Sequence, residues 1–165
     1  MSDTASQPSL EELAEELAFL GDDRDRCDYL IDLGFELPQL AEEQRTEQTR
    51  VHGCQSNVWL VGEMRTAGSE QPRLHFVANS EAMFVNGLIV VLRALYLDKT
   101  ADEVLEIDLE EQMQRLDLDS LVTPQRKNGL FGMVQRLRAI AAGRDETGRG
   151  EAGGSTASAD EPGDE

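Results

Sequence analysis

The chain has 165 residues, 39% of them hydrophobic, which suits one domain with a buried core. Its 33 acidic and 15 basic residues give a formal net charge of -18, which argues against binding nucleic acid or an anionic membrane surface, because both attract Lys and Arg. No stretch reaches the roughly 20 apolar residues of a membrane span, and the acidic N-terminus is unlike a secretory signal, so we expect a cytoplasmic protein.

The first part of the chain predicts two helices. Ser9 and Glu12 have the spacing of a capping box, and the leucines that follow recur three or four residues apart. A second helix is predicted over residues 24–37, with Cys27 on its apolar side as a packed core thiol. Residues 38–50 are polar and are predicted to form an extended connection.

The middle of the chain predicts an antiparallel hairpin, because the β-rich runs 57–64 and 73–79 flank a turn-rich segment. Four helical segments are then predicted: 82–97, which is apolar almost all round, a short helix capped by Thr100, 109–118, and a closing helix from Thr123 to Gly143. The order helices, hairpin, helices predicts an α+β domain with helices packed against a small antiparallel sheet.

We expect this domain to span residues 9–143. Residues 1–8 are predicted to be a flexible N-terminus. Residues 144–165 are rich in Gly, Ser, Asp and Glu and have no apolar face, so they are predicted to be a disordered acidic tail.

Cys54 is the candidate reactive residue, within the stretch VHGCQSNVWL (51–60). Gly53 permits a sharp turn, and Gln55 and Ser56 offer hydrogen bonds in a setting that can stabilise a thiolate, the nucleophilic form of cysteine. A packing role for Cys54 is the alternative. His52 either tunes the thiol or faces solvent, and we favour solvent.

The sequence lacks the residues that other functions of a cysteine require. A cysteine protease requires a histidine with an orienting residue, and of the two histidines His75 lies mid-strand, where we predict a packing role. The C-x-x-C of a thioredoxin-like site is absent, and two cysteines are too few for a disulfide scaffold. Two cysteines and two histidines provide few ligands for a structural zinc ion, so we expect no metal site. The remaining possibility is a single nucleophilic thiol that accepts a group and passes it on.

Four blocks of the sequence resemble one family. GCQSNVWL closely matches the G-C-Q-S-x-V-W signature of the SufE-like sulfur acceptor proteins. Three further blocks are similar to the family's in the same order: DYLIDLGFELPQL (28–40), NSEAMFVNGLIVVL (79–92) and LVTPQRKNGLFGMVQRLRA (121–139). The resemblance covers roughly residues 10–141, and it implies the α+β fold that the family shares with iron–sulfur scaffold proteins of the IscU type.

The resemblance implies a sulfur carrier. Cys54 would take persulfide sulfur from a SufS-like cysteine desulfurase, stimulate that enzyme, and pass the sulfur to an iron–sulfur scaffold complex of the SufBCD type. Pyridoxal phosphate belongs to the desulfurase, so we expect no cofactor in this chain and no activity as a stand-alone enzyme. The alternatives are an IscU-like iron–sulfur scaffold, which needs several thiol ligands, and a thiol-dependent redox protein such as a peroxidase.

The resemblance also implies roles around Cys54. It places Arg126 near the cysteine loop, where a positive charge would lower the pKa of a thiol; a surface arginine capping its turn is the alternative. Val58 and Trp59 are predicted to wall an apolar cavity that shields the persulfide, although Trp59 equally fits the core. Gly53 is the predicted hinge and Gln55 the organiser of the loop. Asn79 and Glu81 replace a more aspartate-rich pattern of the family, so no role is carried over to them.

Overall fold

The computed structural model describes residues 7–52, 56–66, 68 and 70–144. Within these ranges the chain forms six α-helices, one short 3₁₀ turn and a two-stranded antiparallel sheet. The elements in chain order are α1 (Leu10–Leu20), α2 (Asp23–Gly34), the 3₁₀ turn (Glu42–Gln44), β1 (Val58–Arg65), β2 (Arg73–Ser80), α3 (Met83–Tyr96), α4 (Ala101–Glu106), α5 (Leu109–Arg115) and α6 (Pro124–Ala141). The predicted α+β class is confirmed.

Two parts of the predicted organisation fall mostly outside this description. Residues 1–6 and 145–165 lie outside the described residues, so the predicted flexible N-terminus and acidic tail stay predictions. Gln7 is described, and its side-chain amide donates to the Val90 carbonyl oxygen at 3.1 Å. Among the described helices, none has the length and apolar character needed to cross a membrane.

Side-chain caps fix where the helices begin. Ser9 Oγ accepts from the Glu12 N–H at 3.1 Å, and the Ser9 N–H donates to the Glu12 carboxylate at 2.9 Å. Thr100 and Glu103 form the same reciprocal pair. Both predicted capping boxes are confirmed, because they depend only on neighbours three residues apart in the sequence.

The hairpin presents one face to the core. β1 and β2 pair from Val58 opposite Ser80 to Arg65 opposite Arg73. Alternate hydrophobic residues are buried, as the period of a strand requires; they are Val58 and Leu60 on β1 and Leu74, Phe76 and Ala78 on β2. α3 packs on β2 and α6 packs on β1, so these two helices cover the sheet.

α2 and α3 pack with their backbones in close contact. A Cβ at Gly87 would lie 2.5 Å from the Leu30 carbonyl oxygen, and a Cβ at Gly34 would lie 2.9 Å from the Asn86 Cβ. Side chains at these two positions would force the helices apart. The contact buries most of α3, as its apolar sequence predicts, and it fixes where the first turn of α3 lies.

The buried side of α2 differs from the prediction. Its buried residues are Arg26, Leu30 and Gly34, each four residues from the next, whereas Cys27 is only half-buried. The prediction of a core thiol at Cys27 was therefore wrong, because the contact at Gly34 decides which side of α2 meets α3. Arg26 is 3% exposed and donates to the Leu116 carbonyl oxygen at 3.0 Å.

Tyr96 makes the fold sensitive to alkaline pH. Its hydroxyl group is buried and has no hydrogen-bond partner among the described residues. Burial raises the pKa of Tyr96 from 10.0 to about 12, with smaller and opposing effects from Arg138 and Asp108. Because the folded pKa lies above the ordinary value, the unfolded chain ionises first as the pH rises. The contribution to stability is fully present below pH 10 and is lost between pH 10 and about 12.

We expect Tyr96→Phe to leave the free energy of unfolding at pH 7 unchanged or to raise it by up to about 1 kcal/mol, since it removes an unpaired buried hydroxyl. The variant should also lose less stability than the parent chain between pH 10 and about 12. Urea unfolding at neutral and alkaline pH measures both effects, with the half-buried Tyr29→Phe as the matched control. A clear loss of stability at pH 7 would show that the hydroxyl has a partner.

Candidate functional site

The predicted reactive loop is bracketed by described residues. Gly53, Cys54 and Gln55 lie outside the described residues, so their predicted roles stay predictions. The chain before them, residues 49–52, and the chain after them, Ser56 and Asn57, are described. The contacts that hold these two stems, and the residues that surround the stems, define the candidate site.

The stem before the loop is held against α6. Arg136 donates to the carbonyl oxygens of Thr49 and Arg50, at 3.5 and 3.1 Å. A Cβ at Gly132 would lie 3.0 Å from the His52 carbonyl oxygen, so a side chain there would require the stem to shift by a few tenths of an ångström. The His52 side chain is exposed, with Nε2 3.4 Å from the Glu47 carboxylate.

The stem after the loop is held against the start of α3. The Asn57 side-chain amide donates to the Glu81 carboxylate at 3.0 Å, and the Glu81 N–H donates to the Asn57 carbonyl oxygen at 3.2 Å. We call this pair the Asn57–Glu81 latch. The Asn86 side chain bonds both the N–H and the carbonyl oxygen of Ser80, which ties the end of β2 to α3 beside the latch.

A small cavity opens where Ser56, in the stem after the loop, meets α3 and α6. Its volume is about 20 Å³, room for about one water molecule. The lining residues come from the loop stem, α3 and α6; they are Ser56, Val85, Leu88, Arg126, Gly129, Leu130 and Met133. The lining is mostly apolar, with one guanidinium group, so it can shield a reactive atom and place a positive charge beside it.

Arg126 lies at the third position of α6. Its N–H donates to Thr123 Oγ1 at 3.2 Å, which caps the helix. Its guanidinium carbon lies 5.1 Å from the centre of the Phe84 ring, on the first turn of α3. The structure thus brings two of the predicted site residues, Ser56 and Arg126, to the same cavity.

Val58 and Trp59 do not line this cavity. Val58 is completely buried in the core. Trp59 is half-buried, and the Arg45 guanidinium carbon lies 5.5 Å from its ring. Consecutive residues of a strand point to opposite faces of the sheet, so the two side chains cannot wall one side of a cavity together.

Cys27 lies within electrostatic range of the site. Burial raises the pKa of the Cys27 thiol, as do Asp23 and Asp28, whereas Arg26 and Arg126 act in the opposite direction. The half-buried thiol is therefore held mostly protonated at neutral pH, which disfavours it as a nucleophile.

Two other residues singled out in the sequence have structural contacts. Asn79 is buried; its side-chain oxygen accepts from the Leu40 N–H at 2.7 Å and its amide donates to the Pro38 carbonyl oxygen at 3.0 Å. His75 is half-buried, with Nε2 3.8 Å from the Asp98 carboxylate. In the described part of the chain, no three His, Cys, Asp or Glu side chains are grouped so as to hold a metal ion.

Comparison with known proteins gives the family. Residues 11–141 match the family model SufE, described as an Fe-S metabolism associated domain. The chain belongs to the SufE family. Its role therefore lies in iron–sulfur metabolism, and the resemblance seen in the four sequence blocks is confirmed.

Two SufE-like relatives match most of the chain. An uncharacterized SufE-like protein of Rhizobium etli is 41% identical over 134 residues, which is 81% of this chain and 89% of the relative. A second, of Rhizobium meliloti, is 38% identical over 136 residues, or 82% of this chain and 96% of the relative.

The fold is similar to a solved structure. The solution structure of a hypothetical protein from Thermus thermophilus superimposes with a TM-score of 0.62. The two chains are 24% identical, and the match covers 84% of this chain and 96% of the other. At this level of identity the likeness concerns the fold.

We predict that the Asn57–Glu81 latch limits access to Cys54 in this SufE-family chain. One hydrogen bond contributes about 0.5–1.5 kcal/mol, so Glu81→Ala should speed the reaction of Cys54 with a bulky thiol reagent about two- to tenfold. Glu81→Gln removes the same charge but keeps an acceptor for Asn57, so it should react more slowly than the alanine variant. Both variants are compared in a Cys27→Ser background, in which Cys54 is the one remaining thiol. Equal rates for the alanine and glutamine variants would contradict a role for the latch.

Proposed function

We propose that this chain is a persulfide carrier of iron–sulfur cluster assembly. Cys54 accepts sulfur from a SufS-like cysteine desulfurase, and the acceptance stimulates that enzyme. The chain then delivers the sulfur to a scaffold complex of the SufBCD type. The desulfurase supplies the pyridoxal phosphate chemistry, and this chain supplies the thiol and its surroundings.

The cavity beside the cysteine loop is the observation that carries the proposal. Cys54 is two residues from both His52 and Ser56, so its Cα can be at most about 7 Å from either of theirs. Ser56 lines the cavity together with Arg126. A thiol on this loop is therefore within reach of an apolar recess that also contains a positive charge.

The transfer needs no outside oxidant. The Cys54 thiolate attacks the outer sulfur of the persulfide on the desulfurase cysteine and forms a new S–S bond. The S–S bond of the donor breaks, and its electron pair leaves with the desulfurase cysteine as a thiolate. One sulfur atom and its proton move to Cys54, which then carries the persulfide.

The start of α6 favours the anionic forms of Cys54. The N-terminus of a helix carries a partial positive charge, and the first turn of α6 contains no acidic residue. Arg126 adds a full positive charge on the same turn. A thiolate and a deprotonated persulfide are both anions, so this surface lowers the free energy of each relative to its protonated form.

The carrier must also keep its thiol reduced before it is loaded. A chain with two cysteines and no disulfide scaffold suits a reducing compartment, and we propose that it works in the cytoplasm. Partner binding would use the surface around Cys54, where the acidic character of the chain can steer docking.

Mass spectrometry tests the proposal directly. After incubation with a purified cysteine desulfurase and L-cysteine, the peptide that contains Cys54 should gain about 32 mass units, one sulfur atom. The Cys27→Ser variant should gain the same mass, and Cys54→Ser should gain none. A sample without the desulfurase is the control. An adduct on Cys27 alone, or no adduct on the parent chain, would refute the carrier function.

A further inference from the structure

We propose that Phe84 is a positioning residue that holds the Arg126 guanidinium beside the cavity, where its positive charge stabilises the anionic form of Cys54. The inference rests on the proposed function for the identity of that anion. Its physical basis is the contact between Phe84 and Arg126, which joins the first turns of α3 and α6.

The Arg126 side chain has no polar partner among the described residues. It is half-buried, and no described carboxylate lies within 4.0 Å of its guanidinium group; its backbone N–H, not its side chain, bonds Thr123. In contrast, Arg65 pairs with Glu63 at 2.6 Å and Arg26 pairs with Asp23 at 3.0 Å. The chain has 33 acidic residues, yet the half-buried Arg126 pairs with no carboxylate in the described part of the chain.

An aromatic ring can hold a guanidinium without using its donors. The ring attracts the cation through its π face, and when the two groups stack, the five N–H groups of the guanidinium point outward in its own plane. A carboxylate at the same place would instead bond two of those N–H groups and neutralise the charge. Phe84 therefore fixes the position of Arg126 while leaving its charge available.

The placement of Phe84 suits this role. It precedes Val85, which lines the cavity with Arg126, and its ring centre is 5.1 Å from the guanidinium carbon. Arg126 is long and has several rotatable bonds, so without a contact its charge would be spread over many positions. The ring limits the side chain to the cavity side of α6.

Acidic groups near Arg126 make the local electrostatic potential depend on the position of its guanidinium group. Asp23 and Asp28 on α2 raise the pKa of the neighbouring Cys27 thiol, and Arg26 and Arg126 oppose them.

Glu81 lies at the start of α3, bonded to Asn57. Glu47 lies near His52 on the stem before the loop, and Lys127 on α6 is paired with Asp119. Acidic groups thus lie at both stems of the loop and on α2, and Arg126 is a positive charge that opposes Asp23 and Asp28 at Cys27.

The test is the rate at which iodoacetamide alkylates Cys54 across a pH series, in a Cys27→Ser background. Loss of a nearby positive charge shifts a thiol toward its protonated form. We expect Arg126→Gln to slow alkylation at pH 7 by about tenfold. Phe84→Leu keeps an apolar side chain but removes the ring, and it should slow alkylation about threefold, with a higher pH midpoint. Phe84→Tyr keeps the ring and should match the parent chain.

A double variant separates positioning from packing. In the Arg126→Gln background, Phe84→Leu should cause no further change, because the ring acts through the guanidinium. A parent-like profile for Phe84→Leu, or an equal slowing in the presence and absence of Arg126, would overturn the inference. Urea unfolding checks each variant, and Phe84→Met gives a second ring-free side chain if the leucine variant is poorly folded.

The alkylation result is independent of the desulfurase. If the Phe84 variants behave as expected but no sulfur adduct forms on Cys54, the carrier function fails and the positioning role stands. If the adduct forms and the Phe84 variants match the parent chain, the carrier function stands and the positioning role fails.

Discussion

The backbones of α2 and α3 meet at their crossing, and the rest of the site depends on this contact. A Cβ on Gly87 would lie 2.5 Å from the Leu30 carbonyl oxygen, so the separation of the two helices is set by atoms that cannot rearrange. α3 is thereby fixed in the core, and its first turn presents Phe84 and Val85. α6, held on β1, faces this turn from the other side, and the cavity with Arg126 lies between them.

Each stem of the cysteine loop is attached to a different part of this frame. Arg136 and Gly132 of α6 hold the stem before the loop, and Glu81 at the start of α3 holds the stem after it. None of these contacts involves residues 53–55. Sulfur transfer places two demands on a carrier, shielding of the persulfide and its presentation to a partner. The two stems give the loop fixed attachment points on α6 and at the start of α3.

The sequence predicted the features that depend on near neighbours. The capping boxes at Ser9 and Thr100 and the strand alternation are local patterns, and the four family blocks are runs of adjacent residues. The prediction for Cys27 failed because the orientation of α2 is decided by Gly87, 60 residues away in the chain. The contacts of Glu81 with Asn57 and of Phe84 with Arg126 likewise join distant segments, and no local pattern indicates them. The proximity of Arg126 to the loop followed from the family resemblance and not from composition or spacing.

The proposed sulfur transfer depends on one atom, the sulfur of Cys54, and the rest of the fold supports it. The most direct measurement is the rate at which a purified cysteine desulfurase forms alanine from L-cysteine, with and without this chain. The account predicts that the parent chain raises this rate and that Cys54→Ser, folded to the same stability, does not raise it even at saturating concentration. Equal stimulation by Cys54→Ser and the parent chain would contradict the account.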